Sequence, residues 1–205
     1  MKNALLGIAN QANGHGLVMS LRNATSGSGA IWSTEAVLNF SEHLVRNVND
    51  LKRTTNVSGY TNTKALTKDD ETANKYPAAN ITRYISNAGL GSTGWFLPSA
   101  QQWVKMQEGL GGLNESVIKW VENFDTSCTA VNKWEAALAK AGTGNYDSMT
   151  YDYGSYRTSS EYSIDACVYL EIEPKTLYDF PGFRWDSNNK GSYTMASRVR
   201  LVLAF

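Results

Sequence analysis

Glu171 and Glu173 stand two apart in a run dense in strand-forming residues, which puts both carboxylates on one strand face. A glycoside hydrolase could draw an acid and a nucleophile from such a pair, but those roles need a separation that normally comes from two different elements. A solvated strand face is the expected reading. Asp69, Asp70 and Glu71 could attract a cation, yet they lack the alternate acidic positions and central glycine of a calcium loop, so an acidic turn is expected there. Cys128 and Cys167 lie far apart with no histidine at zinc-ligand spacing, which excludes a standard zinc site and leaves a lone disulfide or two separate buried thiols. His15 sits between glycines at a turn exit and His43 on a helical pattern, neither beside an acid or nucleophile in sequence. No Ser/His/Asp order, phosphate loop or nucleotide fingerprint is present, and Gly109–Gly112 follows a helical pattern instead of a strand. No catalytic residue, metal or cofactor is expected.

Composition points the same way. The chain has 205 residues, enough for one moderate domain with a full core, and equal acidic and basic counts give a net charge of zero. Without a long-range field or a basic block, a nucleic-acid partner is not expected. No apolar run approaches the roughly 20 residues that span a bilayer, and the opening MKNALLGIANQANGHG is too short and polar for a signal peptide, so any export signal is expected upstream of it. Six tryptophans and eleven tyrosines supply large apolar area to a core or a recognition surface.

The elements that must position these residues fall into two parts. ALLGIANQANGHGLVMSL reads as a hairpin around a Gly/Asn turn. WSTEAVLNFSEHLVRNVNDLKR reads as a helix capped by Ser33 or Thr34, and residues 54–74 as a polar loop or insertion. A helix is predicted over 77–87, opened by Pro77. Another opens at the capping box Ser99 to Gln102 and runs to Gly109 or Gly111. NESVIKWVENF and VNKWEAALAKAG read as short helices with Trp120 and Trp134 on their apolar faces. Beyond Gly142 the helical period ends, and strands are predicted at 156–159, 166–172, 183–186 and 195–203 in an antiparallel sheet. The fold class is α+β. One domain over 1–205 is expected, with a helical scaffold over 1–150 and a sheet over 151–205.

Three segments in this order, GWFLPSAQQW (94–103), YRTSSEYSIDACVYLEI (156–172) and SYTMASRVRLVLAF (192–205), resemble the C-type-lectin-like fold in its bacterial and phage branch. HGLVMSL, WSTE, YTNTKAL and KYPAA extend the resemblance over nearly the whole chain. Phe96 and Arg157 depart from it, standing where that branch usually has Arg or Tyr and Trp. The resemblance implies that the first and last strands are adjacent and that the region from SSEY to the closing strand is an exposed, loop-rich binding face. It is closest to the variable proteins of diversity-generating retroelements, whose mutated positions cluster in that region. The implied function is non-enzymatic display of a binding face for a protein or glycan, on a bacterial cell surface or phage virion. A structural tip subunit of a pilus or phage fibre, with the same face packed on a neighbour in a homo-oligomer, is the alternative. The expected exposed set is Arg157, Tyr162, Ile164, Asp165, Tyr169, Tyr178, Phe180, Phe183, Trp185 and Tyr193, with aromatics as anchors among adaptable polar groups. Its competitor is that alternate strand residues such as Tyr169 and Trp185 point into a core.

Two further branches of the superfamily fit poorly. The formylglycine-generating enzymes use a cysteine pair near the closing strand, and neither Cys128 nor Cys167 stands there. The calcium-dependent animal lectins use a Glu-Pro-Asn turn, and here Glu173-Pro174-Lys175 puts a cation where an oxygen donor is needed.

Overall fold

The structure is a computed structural model of the chain, described here for residues 5–9, 16–25, 29–53, 58–85, 91–113, 118, 120, 128–143, 145–150, 154–173, 182–191 and 197–205. It is an α+β arrangement of two three-stranded antiparallel sheets with helices packed between and around them.

The first sheet has the order β1-β2-β6. β1 (Leu5–Ala9) and β2 (Gly16–Ser20) form the expected hairpin, with Leu5 opposite Ser20 and Ala9 opposite Gly16. β6 (Val202–Ala204) pairs antiparallel with β2, so the last strand lies against the second strand of the hairpin and not against the first. The second sheet has the order β3-β4-β5, from Gly154–Glu161, Ala166–Glu173 and Gly182–Asn189, with Leu170 opposite Trp185 and Ile172 opposite Phe183.

The run SRVRLVLAF joins the two sheets. Arg198 N–H donates to Ser155 O at 2.7 Å and its carbonyl accepts from Arg157 N–H at 2.9 Å, beside β3. Four residues later Val202 exchanges backbone bonds with Phe96 at 2.8 and 3.0 Å, beside the first sheet. Only residues 202–204 form regular strand, because the preceding residues bond to the loop positions Ala30 and Ala24 and to the end of β2 at Ser20. Both parities of this run are buried, and Arg200 is fully so. Its guanidinium donates to Asn23 Oδ1 and to the carbonyls of Ser20, Leu21 and Asp147 at 2.7 to 3.0 Å. Burial lowers its pKa from the ordinary value, and the partners keep the cation tolerable.

The helical half departs from expectation in four places. Residues 32–53 form no long helix: a 3₁₀ turn spans Ser41–His43, and α1 is only Val48–Leu51, capped by the Asn47 side chain. Of the expected loop over 54–74, residues 58–74 are mostly helical, and 54–57 lie outside the described residues. Ser58 caps α2 (Gly59–Leu66) and Asp69 caps α3 (Asp70–Lys75), each accepting the N–H three residues on. The acidic cluster is thus a helix start, where Asp70 and Glu71 meet the positive end of the dipole. α4 (Pro77–Asn80) begins at Pro77 as expected but continues as a 3₁₀ turn, Ile81–Tyr84. Of NESVIKWVENF, Trp120 makes a parallel bridge to Trp185 of β5 in place of a helical face, and most of the segment lies outside the described residues.

α5 (Ala100–Gly111) has the predicted capping box, with Ser99 Oγ accepting Gln102 N–H at 3.2 Å and Gln102 Oε1 accepting Ser99 N–H at 3.0 Å. It ends at Gly112, whose left-handed φ of 64° few other residues tolerate. α6 is Cys128–Gly142. Trp103 of α5 stacks on Trp134 of α6, with centroids 5.9 Å apart and planes at 19°, and Trp134 meets Phe183 of β5 edge-on. These rings, with Tyr156, Leu170, Ile172 and Trp185, fill the main core.

Candidate ligand-binding surface

Four of the ten residues expected on an exposed face are core. Arg157 is 0 %, Tyr169 2 %, Phe183 4 % and Trp185 1 % exposed. Sheet alternation accounts for Phe183 and Trp185, which face the α5–α6 layer together with Leu170 and Ile172. On the opposite face Arg157 and Tyr169 are buried too, while Arg184, Asp186 and Asn188 are half-buried. Arg157 Nε donates to Ala30 O at 3.2 Å, and one terminal nitrogen contacts Cys167 Sγ at 3.1 Å. Tyr169, Glu171, Arg184 and Asp186 form a polar layer in which Arg184 pairs with Asp186 at 2.6 Å and with Glu171 at 3.6 Å. Burial, then the carboxylates of Asp186 and Glu171, push the Tyr169 phenol up. Burial also raises the Glu171 carboxyl against the opposing pull of Arg184. Glu171 is therefore not the solvated acid of a strand face.

Tyr162 is half-buried and stacks on Trp120 with centroids 6.1 Å apart. Ile164, at 56 % exposure, and Asp165 are exposed together in the turn between β3 and β4. Tyr178, Phe180 and Tyr193 lie outside the described residues, as does His15. His43 is half-buried on the short 3₁₀ turn. Cys167 is a free buried thiol whose pKa burial raises, and the side chain of Cys128 lies outside the described residues.

What holds this region is a buried ion pair. Lys190 Nζ donates to Glu161 Oε1 at 2.6 Å, to Val37 O at 2.6 Å and to Ile164 O at 3.0 Å, and lies 4.8 Å from the Trp32 ring centroid. Glu161 accepts from the backbone N–H of Asn39 and Phe40 at 2.9 and 2.7 Å and from the Asn39 amide at 2.9 Å. Both charged groups are thereby supplied with partners on all sides, the condition under which such a pair is tolerated in a core. The pair ties β3 and the end of β5 to the segment 32–40, which is why WSTE and its sequel are extended: their backbone donors go to Lys190 O and Glu161 instead of into a helix.

Among the described residues, two grooves flank α2. One groove, of about 540 Å³, runs between α2 and the 3₁₀ turn at His43, lined by Asn39, Glu42, His43, Thr61 and Asn62. The other, of about 340 Å³, lies between α2, the 3₁₀ turn at Arg83 and the segment 93–96, lined by Tyr60, Lys64, Lys68, Arg83, Thr93 and Trp95 among others. Sequence reasoning missed these residues by taking 54–74 for a loop. Ser58 followed by Tyr60, Thr63 and Leu66 at helical spacing, with Lys64 and Lys68 four apart, was the available signal. Among the described residues no three of His, Cys, Asp or Glu gather as a metal site, and no helix is long and apolar enough to cross a membrane.

No protein-family model matches the chain, and no curated protein matches it. Among solved structures, the crystal structure of a fimbrial protein from Bacteroides ovatus superposes with a TM-score of 0.53 at 17 % identity. The match covers 94 % of this chain and 36 % of that one. At this identity the likeness is one of fold, and the chain spans about a third of the fimbrial protein's length.

Proposed function

We propose that the chain is a structural module of a surface fibre, of the kind that forms the tip subunit of a pilus or phage fibre, and that its role there is non-enzymatic recognition. The observation that carries this is the likeness to a fimbrial protein over 94 % of this chain but 36 % of that one, the relation of a domain to a larger fibre subunit. The C-type-lectin-like fold is part of the same proposal, supported by a hairpin near the amino end paired with the closing strand. The binding face implied by the retroelement-type variable proteins is not part of it, since Arg157, Tyr169, Phe183 and Trp185 are buried. In-frame deletion of this module in the source cell or phage, followed by negative-stain electron microscopy, tests the assignment. Fibres that are lost or truncated at their ends are the expected result, and fibres unchanged in number and form would overturn it.

A further inference from the structure

We infer that the groove between α2, the 3₁₀ turn at Arg83 and residues 93–96 is a binding site for a carboxylated saccharide. The groove's donors and acceptors are divided in a way that selects for this chemistry. Lys64 on α2, Lys68 just past its end and Arg83 across from them bring three cations to a space of about 340 Å³. Lys64 and Lys68 are exposed, and Arg83 is held in place by Asp70 at 2.5 Å, whose carboxylate is not among the lining groups.

The threonines of the groove present the opposite character. The hydroxyl of Thr67 donates to Thr63 O at 2.8 Å, that of Thr82 to Ala79 O at 2.8 Å, and that of Thr93 to Gly94 O at 2.9 Å. With their protons directed into the backbone, these hydroxyls offer a ligand oxygen lone pairs, which receive hydroxyl protons. Tyr60 and Trp95 supply apolar rings among the polar groups, and both are half-buried and so fixed. A ligand that satisfies all three features carries several hydroxyl donors, a ring with an apolar face and a negative charge. A bare inorganic anion would leave the acceptors unused. A nucleic acid would need an extended basic track, which a chain of zero net charge does not provide. The volume fits a small ligand of one or two rings.

The site does not depend on where the chain is mounted, so it is tested on the purified protein alone and its failure leaves the fibre assignment standing. Titration of 3′-sialyllactose by calorimetry, with lactose, sodium sulfate and a short single-stranded DNA in parallel, reads the specificity. Binding of sialyllactose with weaker or absent binding of the other three is expected. It should weaken about tenfold or more in a Lys64→Gln/Lys68→Gln variant, whose positions are exposed and whose fold circular dichroism can verify. Raised salt should weaken it as well. Lactose bound as tightly as sialyllactose, sulfate or DNA bound more tightly, no binding at millimolar concentration, or full affinity in the double variant would each overturn the assignment.

Discussion

Glu161 and Lys190 concentrate more of the fold's specificity than any other pair described. Removing either charge leaves its partner buried without compensation, so Glu161→Ala and Lys190→Ala should each lower unfolding free energy by about 3–5 kcal/mol, read by urea denaturation. A loss under about 1 kcal/mol would mean water reaches the pair. The SSEY motif marks this glutamate in the sequence, but its lysine partner lies 29 residues away and only folding brings them together. At Glu171 the effect has the other sign. Burial raises its pKa above the unfolded value, so folding favours the protonated form. The resulting stability is present below the unfolded carboxylate pKa, near about 4.3, and is lost as pH rises through the folded one. Glu171→Gln should therefore stabilise the protein at neutral pH and flatten the pH profile above the ordinary carboxylate range, as measured by thermal melts from pH 4 to 8 (a span of about four units). A destabilised variant would show that the ion pair with Arg184 outweighs burial. Cys167, buried with a raised thiol pKa, should resist alkylation in the native protein and react only after denaturation, as peptide mass mapping would show.

At the level of elements, a single side chain fastens α2 to α5. Gln102 Oε1 accepts from both Ser99 N–H and Gly59 N–H at 3.0 Å, so one side chain closes the capping box and anchors the start of a second helix. A Cβ on Gly59 would lie 2.5 Å from Leu97 O and 2.6 Å from Ser99 N, both backbone atoms with little room to move. Gly59→Ala should thus cost about 2 kcal/mol or more, against about 1 kcal/mol for Ser99→Ala, and the reverse order in denaturation would contradict this packing. α5 was legible in the sequence because its signals are local: a cap, a reciprocal Gln and a glycine stop. α2 and α3 were not, because their few apolar positions give a weak period and their caps look like loop residues in isolation. Residues 32–53 failed in the opposite sense, since helical spacing was overridden by tertiary bonds from their backbone to Lys190 and Glu161.

Across the whole molecule, the seam formed by SRVRLVLAF joins the two sheets, and its strand character was readable from the alternation of apolar and basic residues. That Arg200 lies inside was not, because alternation assigns a basic residue to solvent unless carbonyls are waiting for it. The same limit applied to the proposed face: an aromatic and polar strand run reads alike whichever of its residues are covered, and here Phe183 and Trp185 on one side and Arg157 and Tyr169 on the other are buried. Trp185→Ala should accordingly unfold or destabilise the protein by about 3–5 kcal/mol instead of altering binding alone. If the module is carried on a surface fibre, as proposed, an antibody reaches it from outside the cell or virion. Immunogold electron microscopy on intact, unpermeabilised source cells or virions, with antibody raised against the purified chain, tests it most directly. Gold particles on fibres or at their ends are predicted, and labelling that appears only after permeabilisation, away from any fibre, would contradict it.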